Sequence, residues 1–276
     1  MTFYPDLSEY VYLPSRVRMW NVGWLESGHP FVQGELEGEV QDAILRLVAR
    51  PQNMTRGYHN CHFCDVESPI RLDGGGGAVG LGAAEIHVTD PIGRVFAAPD
   101  MVAHYITAHR YLPPREFVEA VDWGIAVQYE RRNGRASEQS FLIQAMTGVH
   151  EVAARIEEVV RAHESSPDAP KLPHWFLSQL EDENWEVRPE VYEKWRDRSI
   201  APEARQRAAR TVPWGRQDWV EEMAPGRRGW KWVGARVIDE RTAALTVNVV
   251  EWPAPLTALL WLVSAAGGVV NEDLLL

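Results

Sequence analysis

The chain has 276 residues, 45% of them hydrophobic and 24% charged, enough to bury one large core or two modest ones without disulfides. Its formal net charge of −11 opposes non-specific binding to nucleic acid and suits a basic partner. No window of about 20 apolar residues offers a membrane span; the most apolar run, PLTALLWLVSAA at 255–266, has the length of a core helix.

The opening residues, MTFYPDLSEYVYLP, lack a basic stretch followed by an apolar one. No secretory signal is read there, and a reducing cytoplasm is the expected compartment. The first fifty residues read as a lead-in with one helix. In GELEGEVQDAILRLVAR, Val40, Ile44, Leu45, Leu47 and Val48 fall close to helical spacing, and Pro51 ends the run. GYHNCHFCDV follows at 57–66 and holds both cysteines of the chain. LDGGGGAVGLGAA (72–84) reads as a flexible tether rather than a phosphate loop, because it lacks the Lys-Ser/Thr of a P-loop. EIHVT and RVFAA flank DPIG, the pattern of two short strands around a turn. PDMVAHYITAH reads as a helix, with Pro99 at its first turn and Asp100 where the helix dipole favours an acid. Pro113 and Pro114 prevent its continuation, and a short helix starts at PREFVEAV.

From Trp123 a second region begins. GIAVQYERRNGRASEQSFLIQAM reads as a hairpin around a two-residue turn at Asn133-Gly134. GVHEVAARIEEVVRAHE is an amphipathic helix with Val149, Val152, Ile156, Val159 and Val160 on one side. SSPDAPKLP (165–173) is the linker candidate, and 174–224 reads as helical and rich in Trp. WKWVGARVIDERTAALTVNVVEW is a second hairpin, followed by the helix of 255–266. This order predicts one four-stranded sheet, made from two hairpins, with helices on one face. The whole is α+β: a small zinc-knuckle ββα-type N-terminal module over 1–122, then a region of antiparallel sheet plus helices over 123–276.

The chemistry concentrates in C-x2-C followed, after 39 residues, by H-x4-H: Cys61, Cys64, His104 and His109. Zinc takes four N and S ligands in a tetrahedron, and two thiolates on a tight turn with two imidazoles at a helix end supply them. The gap is longer than in a compact zinc finger, but the residues inside it can fold back. One geometric condition applies. Positions five apart on an ideal helix point about 140° away from each other, so His104 and His109 share an ion only if the helix tightens or ends between them. His59 is the alternate ligand, and its use would give a site open to water. The competing readings are two plain buried thiols, or a thiol redox pair. A Gly-rich stretch rather than a helix follows the CxxC, which weakens the redox reading.

At these residues a resemblance can be named. MTFYPDLSEY, NVGWLESGHPF, TRGYHNCHFC and AAPDMVAHYITAHRYLPPREFVEAV resemble a family of uncharacterised bacterial proteins common in actinomycetes. Its members share an MTFYPDL start, an NVGWL segment, an RGxHxCxFC knuckle and an HYIxxHxYxPPxEF helix. The resemblance covers about residues 1–122. It implies that His59, Cys61, Cys64, His104 and His109 belong to one motif, and it implies no activity.

H-E-x-x-H is absent, as is the H-x-E with P-C-x-x-C of zinc deaminases, and no G-x-S-x-G elbow occurs. Four good ligands close a coordination sphere, so structural zinc is preferred over catalytic zinc. Nine of the twelve tryptophans lie between 175 and 261. They read as core packing, or as an aromatic surface for a protein partner. Trp230 and Trp232 share one face of their strand by period two, and are the partner-binding candidates. The reading is a non-catalytic, zinc-stabilised cytoplasmic protein that binds another, basic protein in a regulatory or immunity-type role. A zinc-dependent hydrolase or transferase and a CxxC redox protein are the alternatives.

Overall fold

The computed structural model describes residues 2–73, 77–135, 137–146, 148–181, 197, 199–252, 254 and 256–270. It is α+β throughout. By contacts the chain divides into two compact units. One holds residues 1–10, 19–90 and 94–126, the other 11–18, 91–93 and 127–276.

In the first unit, Met19–Asn21 (β1), Glu85–Thr89 (β4) and Val95–Pro99 (β5) form a sheet in the order β1-β5-β4. β4 and β5 are the expected hairpin, antiparallel from Glu85 against Pro99 to Thr89 against Val95. β5 is the middle strand and is buried along its whole length, which explains its uninterrupted apolar sequence. The first fifty residues are more than a lead-in: β1 runs parallel to β5, Met19 opposite Val95. Residues 7–10 then pair back onto β1 through Leu7 N–H to Asn21 O and Tyr10 N–H to Met19 O, both 2.8 Å. A three-residue strand carries too little periodicity to show in sequence.

Gly38–Val48 (α1) buries Val40, Ala43, Ile44, Leu47 and Val48, the i, i+3, i+4, i+7, i+8 stripe of a helix lying on a core. It packs against Val102–His109 (α2) and β4. The span read as a tether instead supplies Ile70–Asp73 (β2) and Ala78–Leu81 (β3), an antiparallel pair with Ile70 opposite Leu81. The glycine run is the connection between them, and its residues 74–76 lie outside the described residues. Arg115–Arg132 (α3) crosses the division between the units.

The length of α3 corrects the first predicted hairpin. Asn133-Gly134 is no strand turn but the end of a helix. Gly134, at φ +70°, donates its N–H to Arg131 O (3.0 Å), and Arg135 N–H reaches Glu130 O (2.9 Å). That paired arrangement, with glycine in the left-handed region, is a standard helix stop, and Asn-Gly serves it as well as it serves a hairpin.

In the second unit, Ser137–Gln144 (β6), Trp230–Val237 (β7), Thr242–Val249 (β8) and Val269–Val270 (β9) make an antiparallel sheet in the order β7-β8-β6-β9. The four-stranded count stands, but its strands are not two hairpins. β7 and β8 are one, β6 inserts beside β8 with Ser137 opposite Val249, and β9 caps the far edge. Val149–Ser165 (α4) turns Val149, Val152, Ala153, Ile156, Val159 and Val160 inward and packs on β7 and β8. His174–Leu177 (α5), Pro202–Thr211 (α6), Arg216–Glu222 (α7), Pro225–Arg228 (α8) and Thr257–Ala265 (α9) complete the unit. The predicted helical character of 174–224 is met at α5, α6 and α7; residues 182–196 and 198 lie outside the described residues. Trp214, Trp219, Trp230 and Trp252 are buried, so these rings serve as core. Trp185 and Trp195 lie outside the described residues. Among the described residues, no helix is long and apolar enough to cross a membrane.

Candidate metal centre

Two segments of the first unit meet at the site. One is the turn carrying Cys61 and Cys64. The other is the end of α2, carrying His104 and His109. The turn is delivered by an edge-like pairing: Gln52 and Glu85 exchange backbone bonds, Thr55 N–H donates to Ala83 O (2.7 Å), and His59 N–H donates to Gly82 O (2.9 Å). Within the turn, Phe63 N–H donates to Cys61 Sγ at 3.4 Å, a bond that favours a thiolate. Phe63 then anchors the turn among rings. It lies edge-on to Phe31 (5.3 Å) and Tyr105 (5.7 Å), and 5.5 Å from the His109 ring.

The four side chains expected to converge do so. Their ligand atoms all lie within 4.8 Å of one another. Cys61 Sγ is 3.3 Å from His109 Nε2, Cys64 Sγ is 3.4 Å from His104 Nε2, and the two Nε2 atoms are 3.1 Å apart. A tetrahedral ion with bonds of about 2.3 Å to sulfur and 2.0–2.1 Å to nitrogen has S···N edges of about 3.5 Å and N···N edges of about 3.3 Å. The observed separations come within about 0.3 Å of those edges. Cys61 and His104 are buried, whereas Cys64 and His109 are half-buried. Burial pushes the Cys61 thiol pKa up and both imidazole pKa values down, with His109 adding to the effect on His104. Burial thereby favours the neutral imidazoles, whose lone pairs a cation can take.

The helix neither tightens nor ends between the two histidines; it widens at its last turn instead. His109 is its last residue, and Arg110 follows at φ +56°. The N–H groups of Arg110 and Tyr111 both return to Tyr105 O, five and six residues back. A turn closed over five residues holds more residues than an α-turn, which brings positions five apart towards the same side.

The other histidines stand elsewhere. His59, the alternate ligand, is not in the convergent group; its backbone N–H is bound to Gly82 O and its carbonyl accepts from Ser68 Oγ (3.1 Å). The spacing of a CxxC knuckle cannot tell a ring beside the turn from one within it. His62 faces Glu26 across 3.9 Å, and His87 Nε2 is 2.9 Å from Glu85 Oε2. Asp100, read from sequence as a helix-dipole acid, has a larger part. Its Oδ1 accepts from Gly82 N–H (2.8 Å), and its Oδ2 from Ala83 (3.2 Å) and Ala84 (3.1 Å). Proximity in sequence to a helix start hid that role, since the amides it binds lie 16 to 18 residues earlier.

In the second unit, Trp230 is 1% exposed, beneath the Arg228 guanidinium at 4.5 Å. Trp232 is half-buried, and Val233 beside it is 49% exposed. A surface at this pair would therefore consist of Trp232 and Val233, because the Trp230 ring is used in packing.

No curated protein and no solved structure matches the chain. Residues 2–122, which contain all four convergent side chains, match the family described as Domain of unknown function (DUF7919).

Proposed function

We propose that Cys61, Cys64, His104 and His109 hold one structural zinc ion that locks the CxxC turn onto the end of α2, in a protein without catalytic turnover at that ion. The observation that carries this is the convergence of two sulfurs and two imidazole nitrogens within 4.8 Å of one another, with two S···N separations and one N···N separation close to tetrahedral edges. An S2N2 tetrahedron is the coordination zinc favours. Two thiolates neutralise the dication, so the loaded site carries no net charge and is cheap to bury. Four protein ligands occupy all four positions, and Lewis-acid catalysis needs one of them open.

The test is elemental analysis of protein purified without added metal. One zinc per chain is expected, with Cys61→Ser and His109→Ala each losing it. Protein that contains no zinc and binds none on titration would overturn the reading.

The biological role fits a regulatory or immunity-type protein that covers a basic partner, in a compartment where thiols stay reduced. The support is the net charge of −11, of which residues 1–122 carry −7 with nine Arg, no Lys and 16 Asp and Glu. Trp232 and Val233 are the contact candidates. Affinity capture from the native host, compared with a Trp232→Ala and Val233→Ala double variant, tests this. Equal capture by both proteins would remove that surface from the proposal.

A further inference from the structure

Three consecutive residues, Gly82, Ala83 and Ala84, stand between the two halves of the metal centre, and every backbone polar group they carry is engaged. Their three N–H groups all point into the Asp100 carboxylate, at 2.8, 3.2 and 3.1 Å. Their three carbonyls accept from the other direction: Gly82 O from His59 N–H, Ala83 O from Thr55 N–H, and Ala84 O from the N–H of Asp100 itself. His59 is two residues before Cys61. Asp100 is two residues before α2 begins, and its own carbonyl accepts from Ala103 N–H at 3.4 Å. One buried side chain, 3% exposed, therefore ties the approach to the cysteine turn to the start of the histidine helix. Gly82 is shaped for this task. At φ +108°, a Cβ there would lie 2.7 Å from His59 O.

From this we infer that Asp100 is a positioning residue for the metal centre, holding the CxxC turn in register with His104 and His109 through the 82–84 bracket. The inference rests on the reading of those four side chains as a metal site. Asn at position 100 has nearly the shape of Asp but must turn an NH2 towards either Gly82 N–H or the pair from Ala83 and Ala84. Donor then faces donor, and the bracket loses one side. Groups that orient metal ligands from outside the coordination sphere typically alter affinity by about 10- to 100-fold.

The experiment measures zinc affinity by competition with a chromophoric chelator, for the full chain and for Asp100→Asn, Gly82→Ala and Glu119→Gln. Far-UV circular dichroism confirms that each is folded. Asp100→Asn is expected to bind zinc about tenfold or more weakly, with a weakened tetrahedral absorption after cobalt(II) substitution. Gly82→Ala, which pushes on His59 without touching Asp100, should move both readouts the same way. Glu119→Gln, which alters an exposed ion pair with Arg115, should move neither. If the unaltered protein binds no zinc, the metal reading itself fails, and this inference with it. If it binds zinc and Asp100→Asn matches it while losing equal stability with and without metal, Asp100 only props the fold and the inference alone is overturned. Should Asp100→Asn not fold, Gly82→Ala decides by the same two outcomes.

Discussion

His109 Nε2 lies 3.1 Å from His104 Nε2 although the two residues are five apart on one helix. An unbroken α-helix would separate their side chains by about 140°. At the end of α2, the N–H groups of Arg110 and Tyr111 both reach Tyr105 O. The geometry of the candidate metal centre thus goes with how α2 stops, at a left-handed residue, Arg110.

Zinc should stabilise the first unit by mass action. At a free concentration about a thousand times Kd it adds about 4 kcal/mol. Thermal denaturation with and without a strong chelator should therefore show a large downward shift on metal removal. Cys64→Ser should unfold at the chelated temperature and be insensitive to chelator. A chelator shift that persists in Cys64→Ser would be inconsistent with this coordination.

Arg110 sits at φ +56°, which costs a residue with a Cβ about 1–2 kcal/mol. Its exposed pair with Glu35, 3.5 Å apart, offsets little of that. Arg110→Gly should stabilise the protein by about 0.5–1 kcal/mol, once the greater freedom of glycine in the unfolded chain is subtracted. Zinc affinity should not change. Chemical denaturation of both proteins checks the first statement and chelator competition the second; destabilisation would contradict the backbone argument.

Glu85 is 2% exposed, and its carboxylate is bonded to Tyr10 Oη (2.8 Å), Asn53 Nδ2 (3.0 Å) and His87 Nε2 (2.9 Å). Removing an acceptor shared by several groups costs more than losing one neutral bond. Glu85→Ala should cost about 3 kcal/mol or more, and Glu85→Gln less, because the amide keeps one acceptor. A Glu85→Ala loss under about 0.5 kcal/mol, the usual scale of a surface change, would show that the cluster contributes little.

His163 is fully buried in the second unit, with Nε2 3.1 Å from Val220 O and the Trp219 ring edge-on at 5.8 Å. Its Nδ1 has no hydrogen-bond partner among the described residues. Burial lowers its pKa; the Val220 carbonyl and Glu164 oppose that effect, and Arg228 adds to it. The folded protein then holds fewer protons than the unfolded one below about pH 6.5. Stability from this group is complete above that pH and is lost as pH falls towards the folded pKa, by at most about 1.4 kcal/mol per unit. Urea denaturation between pH 7.5 and 4.5 should show a flatter decline for His163→Gln. Parallel curves would mean that His163 titrates alike in both states.

The glycine run at 74–77 and the Asn-Gly pair show where local signals mislead. By composition the first reads as a flexible tether and the second as a hairpin turn. One joins β2 to β3, and the other stops α3, because neighbouring pairing and not the glycine selects the outcome. Where a segment carried a long period, as in α1 and α4, the pattern was legible because burial repeats along it.

Residue chemistry and spacing by themselves pointed to two thiols and two imidazoles as a candidate ligand set, beside the readings as buried thiols or a redox pair. They also determined the α+β character, because periodicity is a local property. Only the tertiary structure decided that His59 stands outside the group, that Trp230 is core, and that Asp100 grips amides 16 to 18 residues away. Those outcomes are set by contacts between segments distant in the chain, where short-range patterns carry no information.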